Sequence, residues 1–418
     1  MGGTMTVQGG RPLYGTAEVP AAKNSVLPLL AASVLCAGPA RLTGVPCLSD
    51  VEGCLAILRG VGCAAARQGG ELTVGGPPAV CRMPPAETGR MRASILFAAP
   101  LLARLGRVET VLPGGCKIGP RPVDWHLAAL EQMGAQVSCA GARLVLTAPS
   151  GLRGAEICLP GPSVGATETV LLAGCAAQGR TVLHNAAREP EIVDLANFLN
   201  RCGGRVEGAG GDEIHIEGGL PLRGAAYAPM PDRIWAATMA CAAASARGWV
   251  TIAGCSPALY APVLDALEQA GCRVLRRPKS VTVGCTGALR GVGRLTAGPY
   301  PGLATDAAPL VAAALLAAEG ETVVEDRVFA ARFGCAAGFA AMGAQLALED
   351  GGRVLRIRGR GRPLHAARVA AGDLRGGAAL VVAALGARGK SRIENGGYIS
   401  RGYDRLDASL AALGAQMG

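Results

Sequence analysis

The chain has 418 residues, half of them apolar, and a formal net charge of +10 at pH 7. That length suits two domains rather than one core, and the longest apolar runs, such as 307–318, fall short of the ~20 residues needed to cross a bilayer. The charge favours anionic partners, but the arginines are scattered singly, with no aromatic-interleaved basic run, which argues against nucleic acid and for phosphate and carboxylate contacts at a small-molecule site.

The N-terminus has no charged stretch followed by an apolar one, so no signal peptide is expected. Fifteen cysteines contain no CxxC pair, and most, such as Cys36, Cys54, Cys175 and Cys241, sit in apolar stretches. They read as small buried hydrophobes of a reducing compartment, and a cytoplasmic protein is the expectation. His126, His184, His215 and His365 are isolated, so neither a metal nor another cofactor is expected.

Two markers repeat along the chain. A helix-like run ends in Gly before a β-rich segment at Gly38, Gly106, Gly179, Gly248, Gly320 and Gly389, at intervals of 68 to 73 residues. A second apolar helix closes on Gly62, Gly134, Gly203, Gly271, Gly343 and Gly414, at intervals of 68 to 72. Two markers with one period predict six copies of a unit. Each copy starts with a buried helix, predicted over Ala93–Leu105 and Ala308–Glu319, capped by a left-handed Gly. A β-branched strand follows, such as "RTVLHNA" or "ETVVEDR". An amphipathic helix, predicted over Val123–Met133, leads to a hairpin such as "RVEGAGGDEIHIEG". A strand marked L-x-G comes next, at Leu13–Gly15, Leu152–Gly154, Leu222–Gly224 and Leu289–Gly291. The sixth copy breaks off at Gly418, and "MTVQGGRPLYGTAEV" looks like its missing strands. Three copies therefore form one domain, 22–229, and three more with the N-terminal strands form the other, 1–21 and 230–418. Two chain crossings between domains make a double hinge that suits closure on a ligand.

The candidate chemistry follows in chain order. "KN" at 23–24 and "PSVGAT" at 162–167 precede apolar helices, whose N-termini offer free N–H groups to anions. Cys116 lies in "PGGCKIGPRP", a loop by its glycines and prolines, where Lys117 and Arg121 favour the thiolate. Asp306 opens a long apolar helix; it suits a general base and equally an ordinary N-cap. "GAGG" and "RGRGR" read as hairpin turns, since neither matches a phosphate-binding loop.

The set "AAKNSVLPLLAA" (21–32), "MRASI" (91–95), "LPGGCKIGPRPVDWHL" (112–127), "PSVGATET" (162–169), "NAAREPEIVD" (185–194), "TD" (305–306), "RVFAARF" (327–333), "DLR" (373–375) and "SRGYDRL" (400–406) resembles the enolpyruvyl transferase family across essentially the whole chain. The resemblance implies an α/β fold, a two-domain inside-out barrel of the EPSP synthase type with six βαβαββ repeats, three per domain. It implies transfer of the enolpyruvyl group of phosphoenolpyruvate to the 3-hydroxyl of UDP-N-acetylglucosamine, the first committed step of peptidoglycan biosynthesis. By the resemblance, Cys116 is a general acid on the methylene carbon and the residue alkylated by fosfomycin, and Asp306 is the base. Lys23, Arg92, Arg121 and Arg401 surround phosphoenolpyruvate, while Arg332 and Arg375 help assemble the site. Asn24, Arg121, Pro122, Val123, Asp124, Ser163, Val164 and Gly165 contact the sugar nucleotide, and Val328 and Phe329 the acceptor sugar. The partners implied are the two substrates alone, with no nucleic acid and no membrane, for a monomer or weak homo-oligomer.

Several positions depart from the family pattern. Trp235 and Ala237 stand where Glu and Gly are usual, Ser400 replaces an Asp before Arg401, Leu96 an aromatic and Ser49 a Lys. Two other readings stay open: a transferase of the same fold acting on shikimate 3-phosphate, which the Cys116 loop argues against, and a sugar-nucleotide-binding paralogue with weak or no catalysis.

Overall fold

The computed structural model of the chain describes residues 2–114 and 122–418. These form two compact units, one of residues 21–114 and 122–230, the other of residues 2–20 and 231–418.

In the first unit, the helices Lys23–Ala32, Ala98–Leu105 and Val164–Ala176 form the interior. Lys23–Ala32 and Val164–Ala176 are buried on nearly every side, whereas Ala98–Leu105 leaves Arg104 exposed in its last turn. Three sheets surround them, built on the strands Glu71–Gly75, Arg143–Thr147 and Glu213–Glu217. Along these strands buried and outward side chains alternate, the period-2 signature of a sheet with one wet face.

The second unit repeats the plan. Its inner helices are Arg233–Ser245, Ala308–Leu315 and Leu374–Gly386, which pack on one another. Alanine and glycine dominate them, so their axes approach closely and the interior fills without bulky side chains. The N-terminal strand Met5–Gly9 pairs antiparallel with Gly389–Glu394, Met5 opposite Ile393. Tyr14–Glu18 runs parallel to Trp249–Ala253. The outer helices of both units stop at the second set of glycines, Gly62 to Gly414, whose φ values lie between 88° and 106°. Only glycine adopts that conformation without strain.

Three expectations are corrected in detail. The helix expected over 93–105 is a 3-10 turn, Arg92–Phe97, followed by an α-helix, Ala98–Leu105. Pro100 has no N–H to offer the carbonyl four residues back, so an α-helical ladder begun earlier would lack that bond. The helix from Ala308 ends at Leu315 rather than Glu319, because the Glu319 N–H bonds to the Leu289 carbonyl at 2.8 Å and starts the strand Glu319–Asp326. The L-x-G segments at 152–154, 222–224 and 289–291 lie ahead of their strands, Glu156–Cys158, Ala226–Tyr227 and Gly293–Ala297. Their glycine serves close approach: a Cβ on Gly154 would sit 2.2 Å from the Arg180 carbonyl oxygen, and one on Gly224 1.9 Å from that of Pro39.

Cys36, Cys54, Cys175 and Cys241 are buried free thiols. Burial pushes the Cys175 thiol up to about 12, which keeps it protonated and inert. No helix among the described residues is long and apolar enough to cross a membrane.

Candidate active site

Asp306 sits in the turn ahead of the helix Ala308–Leu315. The N-cap of that helix is Ala307, which makes no side-chain cap, so Asp306 is not the capping residue. Its carboxylate spans two guanidiniums instead: Oδ1 accepts from Arg332 Nη2 and Oδ2 from Arg375 Nε, each at 3.0 Å. The Asp306 side chain is 26% exposed, whereas those of Arg332 and Arg375 are 2% and 3% exposed. A reachable carboxylate thus rests on two dry cations.

Each arginine is fixed from behind. Arg332 Nε donates to Thr305 Oγ1 at 3.0 Å, and its guanidinium lies 4.8 Å from the Phe329 ring centroid. Asp326, fully buried at the end of the strand Glu319–Asp326, stands 3.7 Å from Arg332 Nε. It accepts a hydrogen bond from Thr305 Oγ1. Its other oxygen accepts from the backbone N–H of Val328 at 2.8 Å and of Phe329 at 2.7 Å. Arg375 lies in the first turn of Leu374–Gly386, where Asp373 caps the helix by accepting from the N–H of Arg375 and Gly376. Burial opposes the charge of Arg375, but Tyr403, Asp306 and Asp232 together hold its pKa above the ordinary value. Its Nη1 is buried with no hydrogen-bond partner among the described residues. Such an atom is costly unless a ligand oxygen meets it. Tyr403 stacks 5.3 Å from the Arg375 guanidinium and shares a 2.8 Å hydrogen bond with Thr238. Arg401 ends the 3-10 helix Gly396–Arg401, partly exposed, two residues before Tyr403.

In the other unit, Lys23 begins the helix Lys23–Ala32, and its Nζ bonds Asp50 Oδ2 at 2.9 Å with both side chains nearly dry. Asn24 follows, half-buried. Arg92 donates to the Pro122 carbonyl, which joins two of the expected substrate segments. Val123 is the N-cap of the helix Asp124–Gln132, with Asp124 exposed at its first position. Ser163 caps Val164–Ala176 through its Oγ, accepting from the Ala166 N–H at 3.4 Å. Gly165 leaves room for the His126 ring, since a Cβ there would meet Cε1 at 2.8 Å, and His126 Nδ1 lies 2.8 Å from Thr169 Oγ1. Cys116, Lys117 and Arg121 lie outside the described residues.

Of the expected site residues, Asp306, Arg332, Arg375 and Phe329 come together in one network, and Arg92 meets Pro122. Val328 is exposed and enters through its backbone. Sequence reasoning missed Asp50, Asp326 and Tyr403. An acid closing the β-branched strand "TVVED" directly before "RVFAARF" was the available signal for Asp326. Asp50 carried none. Trp235 is buried at 3% exposure in the first turn of Arg233–Ser245, its N–H bonded to Asp232. Ser400 bonds the Gly397 carbonyl.

Two units of three βαβαββ repeats, with a carboxylate held on buried arginines in one of them, define an enolpyruvyl transferase. The family profile of EPSP synthase (3-phosphoshikimate 1-carboxyvinyltransferase) matches residues 7–410, and the chain belongs to that family. It is 39% identical to UDP-N-acetylglucosamine 1-carboxyvinyltransferase 2 of Caldanaerobacter subterraneus subsp. tengcongensis, with 99% of each chain covered. It is 40% identical to UDP-N-acetylglucosamine 1-carboxyvinyltransferase of Nitratidesulfovibrio vulgaris, covering 99% of this chain and 98% of that one. Among solved structures it is similar to the enolpyruvyl transferase NikO from Streptomyces tendae, at 27% identity and a TM-score of 0.86 over 100% of this chain and 99% of that one. The EPSP synthase of Acinetobacter baumannii, at 20% identity and a TM-score of 0.73 over 99% of each chain, shares the fold.

Proposed function

We propose that this chain is a UDP-N-acetylglucosamine 1-carboxyvinyltransferase, which transfers the enolpyruvyl group of phosphoenolpyruvate to the 3-hydroxyl of UDP-N-acetylglucosamine and releases phosphate for peptidoglycan synthesis. The observation that carries it is the partly exposed Asp306 carboxylate on two buried guanidiniums, within a chain alike over its full length to proteins of that name. A hydroxyl attacks only as a base removes its proton, and Asp306 is the carboxylate the network leaves accessible. Arg332 and Arg375 orient it. The carbon–oxygen bond forms at C2 of the enolpyruvyl group while Cys116 delivers a proton to the methylene carbon. Phosphate then leaves as the methyl group returns a proton and restores the double bond. Both substrates are anions, and Lys23, Arg92, Arg121 and Arg401 supply the opposing charge. Asn24, Pro122, Val123, Asp124, Ser163, Val164 and Gly165 take the nucleotide, and Val328 and Phe329 the sugar.

The enzyme works in the cytoplasm as a monomer or weak homo-oligomer, with domains at 22–229 and at 1–21 with 230–418. Residues 22–229 expressed alone should fold if that division is right.

Mixing the protein with phosphoenolpyruvate and UDP-N-acetylglucosamine should release inorganic phosphate. Release with shikimate 3-phosphate instead, or nucleotide binding without release, overturns this function. Cys116→Ser should abolish turnover, whereas Cys116→Asp should stay active and resist fosfomycin.

A further inference from the structure

The helix that carries Lys23 and Asn24 has no side-chain cap of its own: its N-cap is Ala22, in extended conformation. Its start is held from outside. The Ala22 N–H bonds the Met230 carbonyl at 2.8 Å. Ser25, fully buried in the first turn, donates its hydroxyl to Asp194 Oδ2. The same oxygen accepts the Met230 N–H at 3.1 Å, and Asp194 Oδ1 accepts the Tyr227 hydroxyl at 2.6 Å. Asp194 is itself 7% exposed, in the middle of the helix Pro190–Arg201. Tyr227 packs edge-on against Phe198 of that helix, ring centroids 5.4 Å apart. Burial, and then Asp194, push the Tyr227 phenol up, so it remains a donor.

One buried carboxylate therefore gathers donors from the first turn of the Lys23 helix and from the segment 227–230. We propose that Asp194 is a positioning residue for substrate binding, fixing the backbone of Lys23 and Asn24 through Ser25 and Met230; this rests on the function proposed above. A carboxylate suits the task because it only accepts hydrogen bonds, and three donors converge on it. Charge-assisted bonds of this kind are about twice as strong as neutral ones. Losing one lets the helix start shift, and a small misplacement of a cation that binds substrate is costly in binding.

The test is steady-state phosphate release by the full chain, with each variant's Tm measured alongside. Ser25→Ala should raise KM for both substrates about tenfold, the loss of roughly one charge-assisted hydrogen bond, with kcat within about threefold of the unaltered protein. Tyr227→Phe removes a single hydroxyl and should raise KM about threefold; it serves if Ser25→Ala fails to fold. Ser25→Thr keeps the hydroxyl and should restore KM. The control is Leu195→Val, in the same helix core, expected to lower Tm comparably and leave KM unchanged. An unchanged KM in Ser25→Ala or Tyr227→Phe overturns the inference, as does a KM rise in Leu195→Val equal to theirs. No phosphate release by the unaltered protein overturns the function, and the inference with it.

Discussion

In the unit with residues 231–418, one carboxylate faces two buried guanidiniums; in the unit with residues 21–114 and 122–230, one ammonium faces one buried carboxylate. The first arrangement is a network. Asp306, Arg332, Thr305 and Asp326 come from two chain segments, Arg375 from a third, and each group has more than one partner. The second joins Lys23 Nζ to Asp50 Oδ2 at 2.9 Å. The residue types follow the geometry. Arginine's planar fork can serve several acceptors at fixed angles, while lysine presents one compact charge on a flexible stem. A network fixes its central carboxylate in orientation.

Breaking the network at its centre should cost most. Asp306→Ala takes a shared carboxylate from two dry guanidiniums and removes the proposed base, so turnover should fall by about 10³-fold and stability by about 3–5 kcal/mol. Phosphate release and urea unfolding measure the two. If stability is untouched, the arginines do not depend on Asp306 and the contrast fails.

Lys23→Met should lower turnover by about 10²-fold and stability by about 3 kcal/mol, because Asp50 is left charged in a dry site. Adding Asp50→Leu should recover the stability but not the turnover, since a buried ion pair can be replaced by apolar packing. Failure of that recovery would show that the Lys23 pair, too, belongs to a wider network.

Arg375→Lys sharpens the comparison. It keeps the charge and loses the fork, and should cost turnover about 10-fold to 100-fold with a smaller loss of stability. A fully active lysine variant would mean that charge alone suffices.

The smallest effect lies away from both clusters. Burial, with Glu191 and Glu189 nearby, raises the Glu168 carboxyl well above its ordinary value of 4.5. The folded state therefore binds this proton more tightly than the unfolded chain. Its contribution to stability is complete below pH 4.5 and declines as pH rises through the raised value. Glu168→Gln cannot ionise, so its stability relative to the unaltered protein should improve between pH 5 and pH 8 in urea unfolding. A constant difference would sink this account.

Much of the fold was legible in the chain. The period shared by two sets of glycines gave six copies: in the second set a left-handed helix stop constrains residue type through the backbone alone, whereas of the first set only Gly106 is the left-handed cap expected of all six. The largely apolar inner helices announced their burial by composition. What was misjudged was local: Pro100 shortened one helix, and the L-x-G glycines served close packing just outside their strands. The site was legible by motif as far as Asp306, Arg332 and Arg375. Whether Asp306 is an ordinary N-cap or a base was open in the sequence, since an acid ahead of an apolar helix suits both; the structure removes the cap, which falls on Ala307. Only tertiary structure shows that its partners are arginines 26 and 69 residues away.

Amino-acid order by itself therefore determined the repeat, the family and the inventory of charged groups, because those depend on near neighbours and composition. Tertiary structure alone decided which charges pair: Lys23 with Asp50, Asp306 with Arg332 and Arg375, Asp194 with Ser25 and Met230. Electrostatic partners are selected by distance and dryness, and neither is a property of separation along the chain.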